Sequence, residues 1–254
     1  MGVLQRIALC YFFASLAVRY LKQRGTLILS IIILFGYWLV MYLFGDPADP
    51  YSLEGNASLK FDRLIIPEAN MYHGFGIPFD PEGLLSTLPG IVNVTAGYFA
   101  GKFIQKSGNN LSTVFKLMIS GLAFLVAAQI WNIWFPINKP IWTSSYVLHS
   151  TALCLLILSI LLYFIEVSAY RKWAYFFEAF GKNPLFIFIM SAVVVKTWAL
   201  IRFNDTNLRS WIYDTFFLSW LQGENASLAY ALSFMLLMWL LAWWMDKKRI
   251  YIKI

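Results

Sequence analysis

The stretch VLQRIALCYFFASLAVR (Val3–Arg19) is followed, six residues later, by TLILSIIILFGYWLVMYLF (Thr26–Phe44). Each is close to the length of about 20 apolar residues that crosses the hydrocarbon core of a bilayer. The short connection contains Lys22 and Arg24, and basic residues favour the cytoplasmic side of a membrane. The two stretches therefore predict a pair of membrane-spanning helices joined by a cytoplasmic turn.

Five more apolar stretches of similar length follow along the chain: Leu84–Ile104, Val114–Trp134, Tyr146–Ile165, Pro184–Ile201 and Leu228–Met245. The composition agrees, since 60% hydrophobic and 13% charged residues leave too little polar surface for a soluble globule of 254 residues. We therefore expect an all-α fold, a polytopic transmembrane helix bundle with about seven spans.

The loops between these stretches alternate between basic and acidic character. By the preference of Lys and Arg for the cytoplasm, the N-terminus lies outside and the C-terminus inside. The expected organisation is a single transmembrane domain over residues 1–254 with a long extracytoplasmic loop over residues 45–83. The net charge of +7 is explained by the cytoplasmic loops and anionic lipid, so nucleic acid is excluded as a partner.

Polar residues from separate segments gather toward the predicted outer face. They are Gln5 and Arg6 at the start of the first span, Asp80 and Glu82 in FDPEG, and Asn138 and Lys139 in FPINKPIW, with Lys196 past the midpoint of the sixth span. Ionisable groups inside a membrane are costly and often functional, which makes these residues site candidates.

Each of these candidates also has a simpler structural interpretation. Arg6 and Lys196 could extend their charges to the lipid headgroups, and Asp80 and Glu82 could stabilise the start of the following helix. The prolines around Asn138 and Lys139 could serve a connecting turn alone. These alternatives stay open at the level of the sequence.

GKNPLFIF predicts a helix start on the cytoplasmic side. Asn183 suits the N-cap, Pro184 the first helical position, and Lys182 adds positive charge beside free N–H groups, so a phosphate could bind there. The alternative is ordinary capping. Asn93, near the middle of the third span, is expected to bond to another helix, and Gly97 and Gly101 to allow close helix packing.

Five motifs together resemble the heparan-α-glucosaminide N-acetyltransferase family, in particular its bacterial relatives. They are GVLQRIALCY (Gly2–Tyr11), FDRLIIP (Phe61–Pro67), FDPEGLLSTLPGI (Phe79–Ile91), FPINKPIWTSSYV (Phe135–Val147) and GKNPLFIF (Gly181–Phe188). The resemblance covers essentially the whole chain in matching order. Family members carry more helices ahead of the GVLQR motif, including the histidine of the family mechanism, so the chain resembles the C-terminal portion.

The resemblance implies a membrane enzyme of the bacterial inner membrane that moves acetyl from cytoplasmic acetyl-CoA to a glucosamine-type amino sugar outside. Activity would then depend on the missing part. The family resemblance does not itself assign these roles. From the positions of the charged and polar residues we assign catalytic roles to Asp80, Glu82, Asn138 and Lys139, substrate-binding roles to Gln5, Arg6, Trp142 and Lys196, and binding of the coenzyme A phosphates to Lys182 and Asn183. Acetyl-CoA is the expected co-substrate, and no metal is expected because Cys10 and Cys154 lack ligand spacing.

A second hypothesis from another class is an amino-sugar transporter, because a polar cavity between helices also serves permeation. A transporter would be expected to show inverted repeats and a binding site near the bilayer midplane. The expected partners are the lipid bilayer and the amino sugar, with assembly into a homo-oligomer left open.

Overall fold

The two apolar stretches at the start of the chain form one helical element, α1 (Val3–Phe44), that folds back on itself at Lys22. Lys22 has φ 57° and ψ −172°, outside the helical region. The Thr26 hydroxyl donates to the Ala17 carbonyl oxygen at 3.1 Å, whereas nine residues of straight helix would separate them by about 13.5 Å. The two arms of α1, residues 3–21 and 23–44, therefore lie side by side, as predicted for a helical pair.

The computed structural model describes residues 2–203 and 206–252, apart from the side chain of Phe203. These residues form two units, unit 1 (Met1–Ala169) and unit 2 (Tyr170–Ile254). The predicted all-α class is confirmed, and the described strands are a single hairpin of β1 (Arg202–Phe203) and β2 (Thr206–Asn207), antiparallel with Arg202 opposite Asn207. That one domain covers the whole chain stays a prediction.

Unit 1 contains α1, α2 (Ala57–Ile65), α3 (Thr87–Ser107), α4 (Leu111–Trp131) and α5 (Ser144–Leu162), which continues into a π-helical turn (Tyr163–Val167). Both arms of α1 pack on α3. Ala14 of the first arm shares a buried apolar cluster with Ile91, and Leu34 of the second arm shares one with Val92. The α4–α5 pair is held close at Gly121, where an added Cβ would lie 2.9 Å from Leu156.

The segment after α1 packs against the second arm of α1 and the α4–α5 connection to form a small apolar core. Its buried members are Tyr37, Met41, Ala57, Leu59, Met71, Phe79, Phe135 and Ile141. The Tyr37 hydroxyl donates to the Ile141 carbonyl oxygen at 2.6 Å. This core joins the second arm of α1 to α2, a 3₁₀ turn (Glu68–Asn70) and the α4–α5 connection, so that both loops carrying site candidates are fixed.

Unit 2 consists of a 3₁₀ turn (Lys172–Ala174), α6 (Tyr175–Gly181), α7 (Pro184–Leu200), the β1–β2 hairpin, α8 (Leu208–Tyr213), a π turn (Asp214–Leu218) and α9 (Gly223–Lys247). Its core is a small apolar cluster in which α9 packs against α6 and α7: Ala179, Ile187, Met238, Ala242 and Met245.

Within the described residues, four helices are long and apolar enough to cross a membrane: α1, α4, α5 with its π turn, and α9. A fifth span results if Lys172–Gly181 and Pro184–Leu200, bent by 72°, form one. The chain is thus an integral membrane protein, but the predicted seven spans are not confirmed. Three reasons account for the difference between seven and four. α1 counts once despite its two arms, α3 is absent from this set because polar residues such as Asn93 and Lys102 interrupt its apolar character, and α7 counts only as part of the bent pair.

Candidate functional site

Arg6 is buried on the first arm of α1, only 6% exposed, and faces the turn before α3. Its guanidinium donates to the carbonyl oxygens of Pro81 at 2.8 Å and Ser86 at 2.7 Å. Gly90 makes room for the neighbouring Cys10, since a Cβ there would lie 2.9 Å from the Cys10 sulfur but at an ordinary contact distance of 3.5 Å from the guanidinium. The FDPEGLLS turn is thereby tied to a helix more than 70 residues earlier in the chain.

The Trp142 ring forms one wall of the Arg6 site. The guanidinium carbon lies 4.0 Å from the ring centroid, a cation–π contact that contributes up to about 2 kcal/mol when desolvated. Trp142 has φ 50°, a strained conformation for a residue with a side chain. The Lys139 carbonyl oxygen accepts from its backbone N–H at 3.1 Å, so the proline-flanked turn holds the ring on the arginine.

Asn93 of α3 fixes the far edge of the Trp142 ring. Its Oδ1 accepts from the indole N–H at 3.0 Å, and its amide nitrogen donates to the hydroxyls of Ser150 and Thr151, each at 3.1 Å. The prediction that Asn93 bonds to another helix is confirmed. Asn93, Trp142 and Arg6 therefore form a continuous polar line across unit 1, which we call the Arg6 cluster.

Asp62 of α2 supports the same turn from the other side. It is 1% exposed, and its Oδ1 accepts from the backbone N–H groups of Leu84 at 2.9 Å and Leu85 at 3.3 Å. Burial raises the pKa of Asp62 to about 6, against the opposing effect of these two donors. Gly83 must lack a side chain, because a Cβ there would overlap the Asp62 carboxylate.

The structure brings some of the predicted residues to the Arg6 cluster and leaves others out. Glu82 is half-buried, and its negative charge acts on Arg6. Asp80 is buried in the same turn, close enough to Asp62 for their charges to interact. Among the described residues, the Arg6 guanidinium forms no ion pair with either carboxylate, and backbone carbonyl oxygens accept its hydrogen bonds instead.

Three other candidates of unit 1 either contribute to the local structure through backbone groups or lie at the edge of the Arg6 cluster. Gln5 is exposed, and its side chain accepts from the Gly2 N–H at 2.8 Å, which makes it part of a helix start. Lys139 is exposed, and Asn138 is half-buried. In the described part of the chain, the carbonyl oxygens of these last two accept hydrogen bonds that shape the turn. Their catalytic roles stay predictions.

The three candidates of unit 2 lie in other surroundings. Lys182 pairs with Asp246 at 2.8 Å and Glu178 at 3.2 Å. Asn183 stands at the N-cap position with Pro184 next, as predicted, but its side chain does not cap the helix. Instead it bonds to the carbonyl oxygen of Ile250 and the N–H of Ile252, so it anchors the C-terminal tail. Lys196 is exposed on α7.

Sequence reasoning gave no role to Asp62 or Cys10, and it misjudged two glycines. Leu59 and Asp62 are both buried and lie three residues apart, a spacing that places them on one face of α2 and could have revealed the buried carboxylate. The packing role predicted for Gly97 and Gly101 is wrong, because a Cβ at either would meet no atom within 4 Å. Close approach occurs at Gly90 and Gly121 instead.

The Arg6 cluster offers a buried cation beside an aromatic face, which can stabilise a partial negative charge, whereas the Asn93 amide is already bonded within the protein. In the described residues, no group of three His, Cys, Asp or Glu side chains could hold a metal ion. Carboxylates in the adjacent turn could attract an ammonium group. These features are suited to an acceptor that carries an amine and a reaction that develops negative charge on oxygen.

Fold and site together define a helical integral membrane protein with a polar cluster built on its first spans. No family model matches the chain. The chain is similar to heparan-alpha-glucosaminide N-acetyltransferase from Mus musculus, with 23% identity over 239 residues that cover 74% of this chain and 36% of the relative. It thus spans little more than a third of that relative's length. This distant similarity agrees with the resemblance predicted from the motifs and supports an acyltransferase-like function.

Proposed function

We propose that the chain acts in acetyl transfer across the membrane, from cytoplasmic acetyl-CoA to a glucosamine-type amino sugar on the extracytoplasmic side of a bacterial inner membrane. The support is the similarity to a relative named as a heparan-alpha-glucosaminide N-acetyltransferase, together with the Arg6 cluster. The acceptor, the acetyl-CoA donor and the sidedness are part of the proposal.

The proposal rests on the groups that surround the Arg6 guanidinium. A buried arginine within a membrane span is costly unless its charge is compensated. Among the described residues, no carboxylate lies within ion-pair distance of the Arg6 guanidinium, which is held by two carbonyl oxygens and a ring. A fixed cation of this kind is preorganised for a negative charge that appears only during a reaction.

The reaction joins the sugar amine nitrogen to the acetyl carbonyl carbon and breaks the carbon–sulfur bond of the thioester. The sugar ammonium first loses one proton to water. After the amine has attacked, its nitrogen releases a second proton, which the departing coenzyme A thiolate takes up. In this scheme Glu82 and Asp80 hold the ammonium, and N–H groups of Arg6 stabilise the oxyanion of the tetrahedral intermediate. Trp142 provides the flat surface against which a sugar ring can pack.

The donor side of the scheme has less support. Lys182 and Asn183, the predicted ligands of the coenzyme A phosphates, already bond to protein groups within unit 2. A phosphate would have to displace Asp246 from Lys182. The proposal therefore depends on the Arg6 cluster and not on a phosphate role of Lys182.

The test is acetyl transfer in inside-out vesicles that contain the full chain, with radiolabelled acetyl-CoA outside and glucosamine inside. We expect labelled N-acetylglucosamine in the vesicle lumen with the unaltered chain and its loss in Arg6→Gln. Arg63→Gln is the matched control, since Arg63 is an exposed arginine whose ion pair with Glu68 lies outside the cluster.

Two results would overturn the proposal. The first is an absence of labelled product from the unaltered chain. The second is movement of glucosamine across the vesicle membrane without acetylation, measured in a parallel experiment in which the sugar carries the label, which would favour the alternative of an amino-sugar transporter.

A further inference from the structure

Unit 1 contains a groove that the proposed chemistry does not use. It has a volume of about 590 Å³ and runs between the second arm of α1 and helices α3, α4 and α5. Its size lies within the range of about 300–1,000 Å³ that is typical of small-molecule sites. Large apolar side chains form most of its wall, including Leu27, Ile31, Phe99, Phe103 and Phe124.

The few hydroxyl groups in the groove are already bonded within the protein. Ser30 donates to the Thr26 carbonyl oxygen at 2.9 Å, and Thr95 to that of Val92 at 3.0 Å. Ser120 bonds to the Lys116 carbonyl oxygen at 2.8 Å. A ligand with amide groups would lose its hydrogen bonds to water and find few partners here, which is unfavourable. A hydrocarbon chain makes no hydrogen bonds to water, so it has none to lose when it enters the groove.

One end of the groove is basic. Arg24 and Gln23 line it there, and Arg24 is exposed with no ion pair among the described residues. Exposed lysines stand next to the groove in the sequence: Lys22 beside Gln23, and Lys116 beside the lining residue Leu117. Basic pockets between membrane-spanning helices are suited to anionic lipid headgroups.

We propose that this groove binds one acyl chain of an anionic glycerophospholipid, whose headgroup phosphate contacts Arg24. Hydrocarbon lining fits the chain, and the unpaired cation at the end fits the phosphate. The site would be a lipid-binding site separate from the Arg6 cluster, and it does not depend on the proposed acetyl transfer.

The test is native mass spectrometry of the purified full chain with added phosphatidylglycerol or phosphatidylcholine. We expect phosphatidylglycerol to bind several-fold more tightly, and Arg24→Gln to lower its affinity roughly fivefold, as expected for about 1 kcal/mol per basic residue near a lipid surface. Arg19→Gln is the matched control, because Arg19 is exposed on the first arm and outside the lining. It should bind as the unaltered chain does.

Filling the groove tests the position of the acyl chain. Ala96→Trp places a large ring in the groove and should abolish binding of both lipids, whereas Ala123→Trp changes an exposed alanine of α4 outside the lining and should not. Ser120→Phe fills the groove from the opposite wall, so a folding defect of one variant does not decide the outcome. Melting curves of all variants verify that they fold.

Three results would overturn the inference. They are full phosphatidylglycerol binding in both groove-filling variants, equal affinity for the two lipids in the unaltered chain, and displacement of bound phosphatidylglycerol by coenzyme A, which would assign the groove to a thioester donor.

Discussion

Each unit contains a cation within a polar cluster, but the groups that surround the cation differ between the two units. In unit 2, Lys182 has two carboxylate partners, and Asp246 also accepts from the hydroxyls of Tyr175 and Tyr251 at 2.8 and 2.9 Å. In unit 1, Arg6 is held by carbonyl oxygens and a ring, with no carboxylate in ion-pair contact among the described residues. A cation with carboxylate partners is neutralised, whereas one held only by carbonyl dipoles and an aromatic ring keeps its net charge.

The difference between Arg6 and Lys182 is tested first by catalysis, where we expect the largest effect. Arg6→Gln should lower kcat/KM for acetyl transfer by about 100-fold or more, because it removes the donor proposed for the oxyanion. Arg6→Lys should recover little, since an ammonium lacks the planar fork that bonds two carbonyl oxygens and stacks on Trp142. The measurement is steady-state transfer of labelled acetyl in vesicles. A rate close to that of the unaltered chain in Arg6→Gln would remove the catalytic distinction between the clusters.

The next effect concerns the turn that holds Arg6. Gly83→Ala should lower the free energy of unfolding by about 1–3 kcal/mol, because the added methyl group would displace the buried Asp62 carboxylate from its two N–H donors. Gly97→Ala on α3 is the matched control, and it should be neutral or stabilising because its Cβ meets open space. Thermal unfolding in detergent measures both. Equal losses in the two variants would contradict the packing assigned to Gly83.

The pH dependence of stability tests the role of Asp62 in the same turn. The pKa of Asp62 is raised to about 6 in the folded protein, above its ordinary value near 4, so the folded state holds the proton more tightly than the unfolded state. This contribution is fully present below about pH 4 and is lost as the pH rises through 6. We expect a stability gain of about 1–2 kcal/mol from pH 7 to pH 5.

Asp62→Asn is the comparison for that measurement. The amide oxygen can still accept from Leu84 and Leu85, but the side chain no longer titrates. The difference in unfolding free energy between pH 5 and pH 7 should therefore shrink in this variant. An unchanged difference would assign the pH dependence to another group.

The smallest expected effect is in unit 2. Lys182→Gln should lower the unfolding midpoint by a few degrees, because Asp246 loses its cation but keeps two tyrosine hydroxyls. The KM for acetyl-CoA should stay the same if the pairing is structural. A rise in KM without loss of stability would instead support the predicted phosphate role of Lys182.

Local patterns in the sequence predicted much of the fold. Apolar length located the long helices but not the short α2, α6 and α8, the basic connection located the reversal of α1 at Lys22, and GKNPLF located the start of α7. Asn93 was predicted to bond across helices because a buried amide needs partners. These features depend on residues near one another in the chain, and for that reason they can be predicted without tertiary structure.

The details of the site could not be predicted in this way. Charge position drew attention to Arg6 and Glu82, but it also suggested Lys139, whose side chain is exposed. The support of the turn by Asp62 depends on two backbone N–H groups more than 20 residues away, for which the sequence has no local signal.

The sequence by itself determined that this chain is a helical membrane protein, because the length and apolarity of each segment determine how it partitions between water and lipid. Only the tertiary structure decided which charged groups pair with an opposite charge and which do not. Partnership between charges depends on distances of a few ångströms between segments that the chain order leaves far apart. Arg6 and Trp142 meet at 4.0 Å although 136 positions separate them.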